Sequence, residues 1–215
     1  MLAENVVSKM KGVTLERVEK SLRVRALRAF GRMDTVRSLV RRPYEAQPAV
    51  KSSLFPDVNV DEVAGKLERD GLCLGLRLPE KTLAELRAWA DGNPCFGNRN
   101  TQWGFLIKDR EKAEAKVGKA FTLARYHNMS VECPAAAAIA SDPVLHEIAK
   151  RYVGSRAKLV GMQMWWSFVS QADDAERNLF AQLFHFDLDD YRFLKFFFYL
   201  TDVDDTAGPH VYVRG

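Results

Sequence analysis

Residues 181–200 read AQLFHFDLDDYRFLKFFFYL, and the fold turns on how they are taken. His185 and Asp187 stand two apart in a short alternating run. A strand sets residues i and i+2 on one face, so imidazole and carboxylate are expected to project together. A neutral imidazole beside a carboxylate, with positions left open, is two thirds of the facial triad of non-haem Fe(II) oxygenases. An HxD alone is a weak signal, because a surface His next to an Asp is common; its context adds weight. Phe193 to Leu200 is apolar on both faces, as a buried strand would be, and TDVDDTAGPHVYV then reads as a turn and a third strand.

The run QLFHFDLDDYRFLKFFFYLTDVDDTAGPHVYVRG, residues 182–215, resembles the metal-binding centre of the phytanoyl-CoA dioxygenase family. The family pattern runs HxD, a short loop, a buried strand, an acidic turn, Gly-Pro, a strand and then Gly-Ser-His. The likeness is close from Phe184 to Gly215, weaker back to about Phe55, and absent from the first fifty residues. It implies an α+β fold built on a double-stranded β-helix (a jelly-roll barrel) with N-terminal helices outside, and an Fe(II)- and 2-oxoglutarate-dependent dioxygenase. His185 and Asp187 would hold iron, 2-oxoglutarate and dioxygen would fill the remaining positions, and a small-molecule C–H bond would be hydroxylated as 2-oxoglutarate is converted to succinate.

The family closes its triad with a second histidine several strands later, followed by an arginine for the far carboxylate of 2-oxoglutarate. This sequence stops at Gly215, where the family continues with Ser-His. The expectation is therefore an oxygenase fragment whose barrel is incomplete at its C-terminal end. The alternative is a non-catalytic ligand-binding protein on a degenerate barrel.

Further candidates follow from the flanking strands. A lysine in so apolar a strand as Phe193 to Leu200 must snorkel to an edge or meet an anion. Lys195 shares a face with Phe197 and Tyr199, opposite Phe196, Phe198 and Leu200; if that face looks inward, a carboxylate of 2-oxoglutarate or Asp187 is its expected partner. Phe197 fits the ring that packs beside co-substrate in the family, with core packing as the rival. Ala157 to Ser170 is a strand of mixed character, with Gln163, Trp165 and Ser167 on one face and Met162, Met164 and Trp166 on the other. A buried Trp needs a partner for its N–H, so one face is expected to line a polar cavity. The family lines its co-substrate pocket from the strand before HxD, which makes Gln163 and Trp165 candidates, with core packing equally open.

In LARYHNM, 123–129, Arg125 and His127 share a strand face. Arg125 is a candidate for holding 2-oxoglutarate or substrate. His127 is not expected to bind metal, because the resemblance places the third ligand downstream. His210, after Gly208-Pro209, belongs at a pocket rim or to the framework, and His146 receives no role. In the loop Asp91 to Gly104, Asn98, Arg99 and Asn100 are candidates for an anionic or hydroxylated substrate, against a plain surface loop.

With 47% hydrophobic and 28% charged residues, the 215-residue chain has the composition of an ordinary globular protein able to bury a core. No 18-residue apolar run predicts a membrane span, and MLAENVVSKMKG lacks the apolar centre of a secretory signal. Three cysteines without CxxC spacing suggest reduced thiols and a cytoplasmic location. Residues 1–50 hold 11 Lys/Arg against 5 Asp/Glu, so the net +4 leaves the remaining chain at −2. The basic charge belongs to an N-terminal helical extension, 1–50, ahead of an oxygenase-like domain, 51–215. An amphipathic helix is expected over Val13 to Met33. A basic arm for nucleic acid or membrane is the minor reading there, because Glu16 and Glu19 dilute the charge. Helices are expected from Asn59 to Gly71 and from Pro79 to Gly92, a strand over Leu72 to Leu78, an exposed, charged helix from Lys108 to Phe121, and two helices split at Ser141-Asp142-Pro143. Gln171 to Asn178 reads as a flexible connection. Without a P-loop or a GxGxxG, nucleotide chemistry has no support.

Overall fold

The computed structural model describes residues 22–26, 29–30, 33, 35–36, 39, 53–154, 156–169, 173–180, 182–187 and 189–213. The chain divides into two compact units, Met1–Pro43 with Phe186–Leu194, and Tyr44–His185 with Lys195–Gly215.

In the smaller unit, residues 22–26, 29–30, 35–36 and 39 are helical. Leu22, Val24, Phe30, Met33 and Leu39 are exposed there, while Ala26 is half-buried. Of the helix expected over Val13 to Met33, residues 22–26 and 29–30 are helical and Met33 is not; 13–21, 27–28 and 31–32 lie outside the described residues.

In the larger unit, helix α1 (Val60–Asp70) begins at Asn59, whose Oδ1 accepts the N–H groups of Asp61 and Glu62 at 3.0 and 3.2 Å. Glu62 does not reach back to complete a capping box; it pairs with Lys66 at 2.7 Å. The helix stops at Gly71 in the left-handed conformation (φ 67°), where Tyr212 lies against its α-carbon. Val63, Ala64 and Leu67 are buried against helix α6 (Pro143–Val153), which contributes Val144, Leu145 and Ile148, and Arg151 pairs with Asp61. Asp142, 2% exposed, starts α6 by accepting from Val144 N–H and Leu145 N–H at 2.9 and 3.2 Å. The same carboxylate accepts from the Ser53 hydroxyl at 2.9 Å and from Leu54 N–H at 2.7 Å.

Helix α2 (Glu80–Gly92) follows Pro79 and buries Thr82, Leu86 and Ala90. Residues 72–78, expected as a strand, join no ladder: Leu74 is exposed and Gly75 breaks the extended run with φ 107°.

Four short strands, β1 (Cys95–Gly97), β2 (Gly104–Phe105), β3 (Leu123–Arg125) and β4 (Trp165–Ser167), form an antiparallel sheet in the order β2-β1-β3-β4. Helix α3 (Arg110–Val117) crosses between β2 and β3; α4 (Met129–Glu132), α5 (Pro134–Ala140) and α6 lie between β3 and β4; α7 (Asp174–Leu179) follows β4. The break at Ser141-Asp142-Pro143 separates α5 from α6 as expected. Helix α7 replaces the open connection expected at 171–178. Its signal was present: Asp173 caps Glu176 N–H at 2.8 Å, and Glu176 stands three residues on.

Directly opposed residues in an antiparallel ladder share a face. The register Gly97↔Ala124↔Trp166 defines the face turned to the helices. Tyr126 lies on it, fully buried and 5.4 Å from the Trp89 ring. A Cβ on Gly97 would fall 2.5 Å from the Phe121 ring, so this close approach requires glycine. The register Phe96↔Arg125↔Trp165 defines the opposite face.

Candidate functional site

His185 is exposed, and its Nδ1 lies 2.7 Å from the Leu183 carbonyl. A carbonyl only accepts, so Nδ1 is the donor in this contact. Asp187 belongs to the smaller unit and is half-buried. Residues 182–187 join no ladder, so the alternation read there does not arise from strand pairing. Imidazole and carboxylate are suitable donors for Fe(II). Among the described residues, no group of three His, Cys, Asp or Glu side chains is placed to hold a metal ion.

Residues 195–200, expected as a strand buried on both faces, instead alternate in exposure. Lys195, Phe197 and Tyr199 are exposed while Phe196, Phe198 and Leu200 are half-buried, although the segment joins no ladder. Phe198 stacks on the buried Phe55, ring centroids 5.8 Å apart, which fixes its side of the chain against the core. The Leu200 carbonyl accepts from Arg87 Nε. In the acidic turn that follows, Asp204 accepts from the Thr206 hydroxyl at 2.7 Å and from the N–H groups of Thr206 and Ala207; these bonds, led by the hydroxyl, hold its carboxyl below the ordinary range. Gly208 then turns with φ 70°.

Three of the five residues predicted for co-substrate come together. Arg125 is flanked in register by Phe96 on β1 and Trp165 on β4. Trp165, 42% exposed, meets Phe197 edge-on at 6.4 Å and 89°. Phe197, 49% exposed, lies 4.6 Å from the His210 ring, and His210 N–H donates to the Tyr199 hydroxyl at 2.6 Å. Gln163 is exposed two residues before Trp165 and Lys195 is exposed two before Phe197. His127, given no ligand role by sequence reasoning, packs on Phe96 at 4.8 Å. The Nε of Arg125 and the Nε2 of His127 are buried and meet no hydrogen-bond partner among the described residues.

The loop candidates are structural. Asn98 and Arg99 both have positive φ, 49° and 62°. The Asn98 Oδ1 accepts from Thr122 N–H and Leu123 N–H, which fastens the start of β3. Arg99 covers the Phe180 ring at 5.6 Å and donates to the Leu179 carbonyl, so it holds the end of α7. Asn100 Oδ1 accepts from Gln102 N–H. His146 Nε2 lies 2.8 Å from the Ala140 carbonyl and has a framework role. A shallow groove of about 300 Å³ lies among Ile107, Lys108, Arg110, Glu111, Trp166 and Phe168, and none of the predicted residues lines it.

All three cysteines are free thiols. Burial pushes Cys95 from 9.0 up to about 11, so it is an inert core thiol. No described helix is long and apolar enough to cross a membrane. No family model, curated protein or solved structure matches this chain.

Proposed function

We propose that the chain is a cytoplasmic Fe(II)- and 2-oxoglutarate-dependent dioxygenase of the phytanoyl-CoA dioxygenase kind, with His185 and Asp187 as iron ligands. The observation that carries the reading is the HxD pattern and its continuation through Gly208-Pro209 to Val213. The Nδ1 contact with the Leu183 carbonyl supports it, since a bond to one ring nitrogen orients the imidazole. The regular alternation along 195–200 supports a strand-like segment after HxD. Three free thiols support a reducing compartment. Bound iron would supply the redox chemistry with dioxygen and 2-oxoglutarate. In this reading Lys195 pairs with a carboxylate of 2-oxoglutarate, Phe197 and Trp165 supply ring surfaces that exclude water, and Gln163 and Arg125 orient the bound molecules.

The test is spectroscopic. The protein as its gene encodes it is mixed with Fe(II) and 2-oxoglutarate without oxygen. A visible charge-transfer band is expected, abolished in His185→Ala and Asp187→Ala. A folded protein that gives no band would overturn the reading.

A second reading, ligand binding without catalysis, is favoured by the Phe96–Arg125–Trp165 face, whose buried nitrogens could meet a ligand without any metal. It predicts binding of a small molecule with no iron spectrum.

A further inference from the structure

We infer that the Phe96–Arg125–Trp165 face is a binding site for an organic acid carrying a planar ring. The acid group would sit on Arg125 Nε and His127 Nε2, and the ring against Trp165.

Arg125 and His127 share this face: Arg125 stands opposite Phe96, and the His127 ring packs on Phe96. Pairing of the β3 and β4 chains continues past Arg125, since Tyr126 N–H donates to the Met164 carbonyl at 3.0 Å. The Nε of Arg125 is always a donor. Buried without an acceptor among the described residues, it has lost its water and gained nothing from them in return. His127 Nε2 is buried and unpartnered in the same way, and it donates in its Nε2–H or doubly protonated form. Two buried nitrogens whose residues both neighbour Phe96, one of them permanently cationic, suit an anionic oxygen pair.

What surrounds them is apolar and flat. Phe96 and Trp165 flank Arg125 on either side, and Phe197 and His210 extend the row from Trp165. Trp165 and Phe197 are nearly half-exposed, so ring surface is open beside the cation. A ligand with a ring would cover that surface, and an acid without one would leave it wet. The inference rests on the oxygenase reading in taking Arg125, Trp165 and Phe197 as residues that hold substrate while Lys195 holds 2-oxoglutarate; occupation of the face itself needs no iron.

The experiment is done without iron or 2-oxoglutarate. Benzoate, phenyl phosphate and acetate are titrated into the protein by calorimetry, with the Arg125 Nε–H cross-peak followed by NMR. Saturable binding of benzoate or phenyl phosphate is expected to shift that cross-peak, and the tighter of the two identifies the acid group. Acetate should bind at least tenfold more weakly. Arg125→Gln should lower affinity at least tenfold, and Trp165→Ala, a change at a half-open position that leaves the core intact, should remove most of the preference for a ring. Equal binding by Arg125→Gln, or an unmoved cross-peak, would overturn the proposal. Displacement of benzoate by 2-oxoglutarate at equal or lower concentration would overturn it too, since the face would then belong to co-substrate. The iron spectrum above decides the oxygenase reading separately.

Discussion

Trp166 donates its indole N–H to the Tyr126 hydroxyl at 2.8 Å, and Tyr126 in turn donates to the Ala90 carbonyl at 2.8 Å. This relay joins β4, the end of β3 and α2 through one phenol that is almost completely buried. Tyr126→Phe keeps the ring and removes both bonds, leaving a part-buried N–H and a buried carbonyl without this partner. The expected loss is about 1–3 kcal/mol. It should appear as a lower urea midpoint with an unchanged slope.

Asp142 concentrates four partners on one carboxylate: Val144, Leu145, Leu54 and Ser53. Asp142→Ala removes the cap of α6 and strands the Leu54 N–H, for an expected cost of about 3 kcal/mol. Asp142→Asn keeps one acceptor oxygen and should lose less. Chemical denaturation of the two variants side by side checks the order.

Alkaline pH should weaken the larger unit through Cys95. Its thiol sits at about 11 in the folded state against 9.0 ordinarily, because burial disfavours the thiolate. A group with a raised folded pKa contributes its full stabilisation below the unfolded value and loses it as pH rises through the folded one. The loss is therefore expected between pH 9 and about 11, on the order of 2–3 kcal/mol. Tyr126, also raised by burial, acts in the same direction at higher pH. Urea midpoints across that range should fall more steeply in the wild type than in Cys95→Ala.

Gly97→Ala places a methyl 2.5 Å from the Phe121 ring, which is itself buried. Overpacking of this kind costs about 1–3 kcal/mol. Adding Phe121→Leu should recover part of the loss, and a thermal melt of the single and double variants reads it directly.

Much of the helical framework is legible in the sequence because its signals are local. Asn59 and Gly71 bound α1, Pro79 precedes α2, and Asp142-Pro143 starts α6. Asp173 with Glu176 carried the same signal for α7 but was outweighed by the polarity of the stretch around it. Strands depend on partners that no local pattern specifies. The run at 72–78 alternates convincingly and pairs with nothing, whereas β1 and β2, from a loop rich in Gly and Asn, pair because Asn98 fastens them to β3. For the candidate site, the two-residue parity of Arg125, Trp165 and Phe197 was readable, and their convergence was not, since it depends on a register between segments some forty residues apart. The Trp indole partner expected as a polar cavity turned out to be the Tyr126 hydroxyl, a long-range contact that periodicity cannot supply.

The Asp142 carboxylate reaches a serine 89 positions earlier in the chain. Helices α1 and α2, β1 to β3 and α3 to α5 all lie within the span it closes, so its bonds form only after distant segments have met. Closing so wide a span costs chain entropy before it yields contacts. Assembly should therefore be gated by this clasp: if Ser53→Ala slows refolding in a denaturant-jump experiment and leaves unfolding unchanged, the clasp forms before the rate-limiting barrier, and the reverse pattern would place it after.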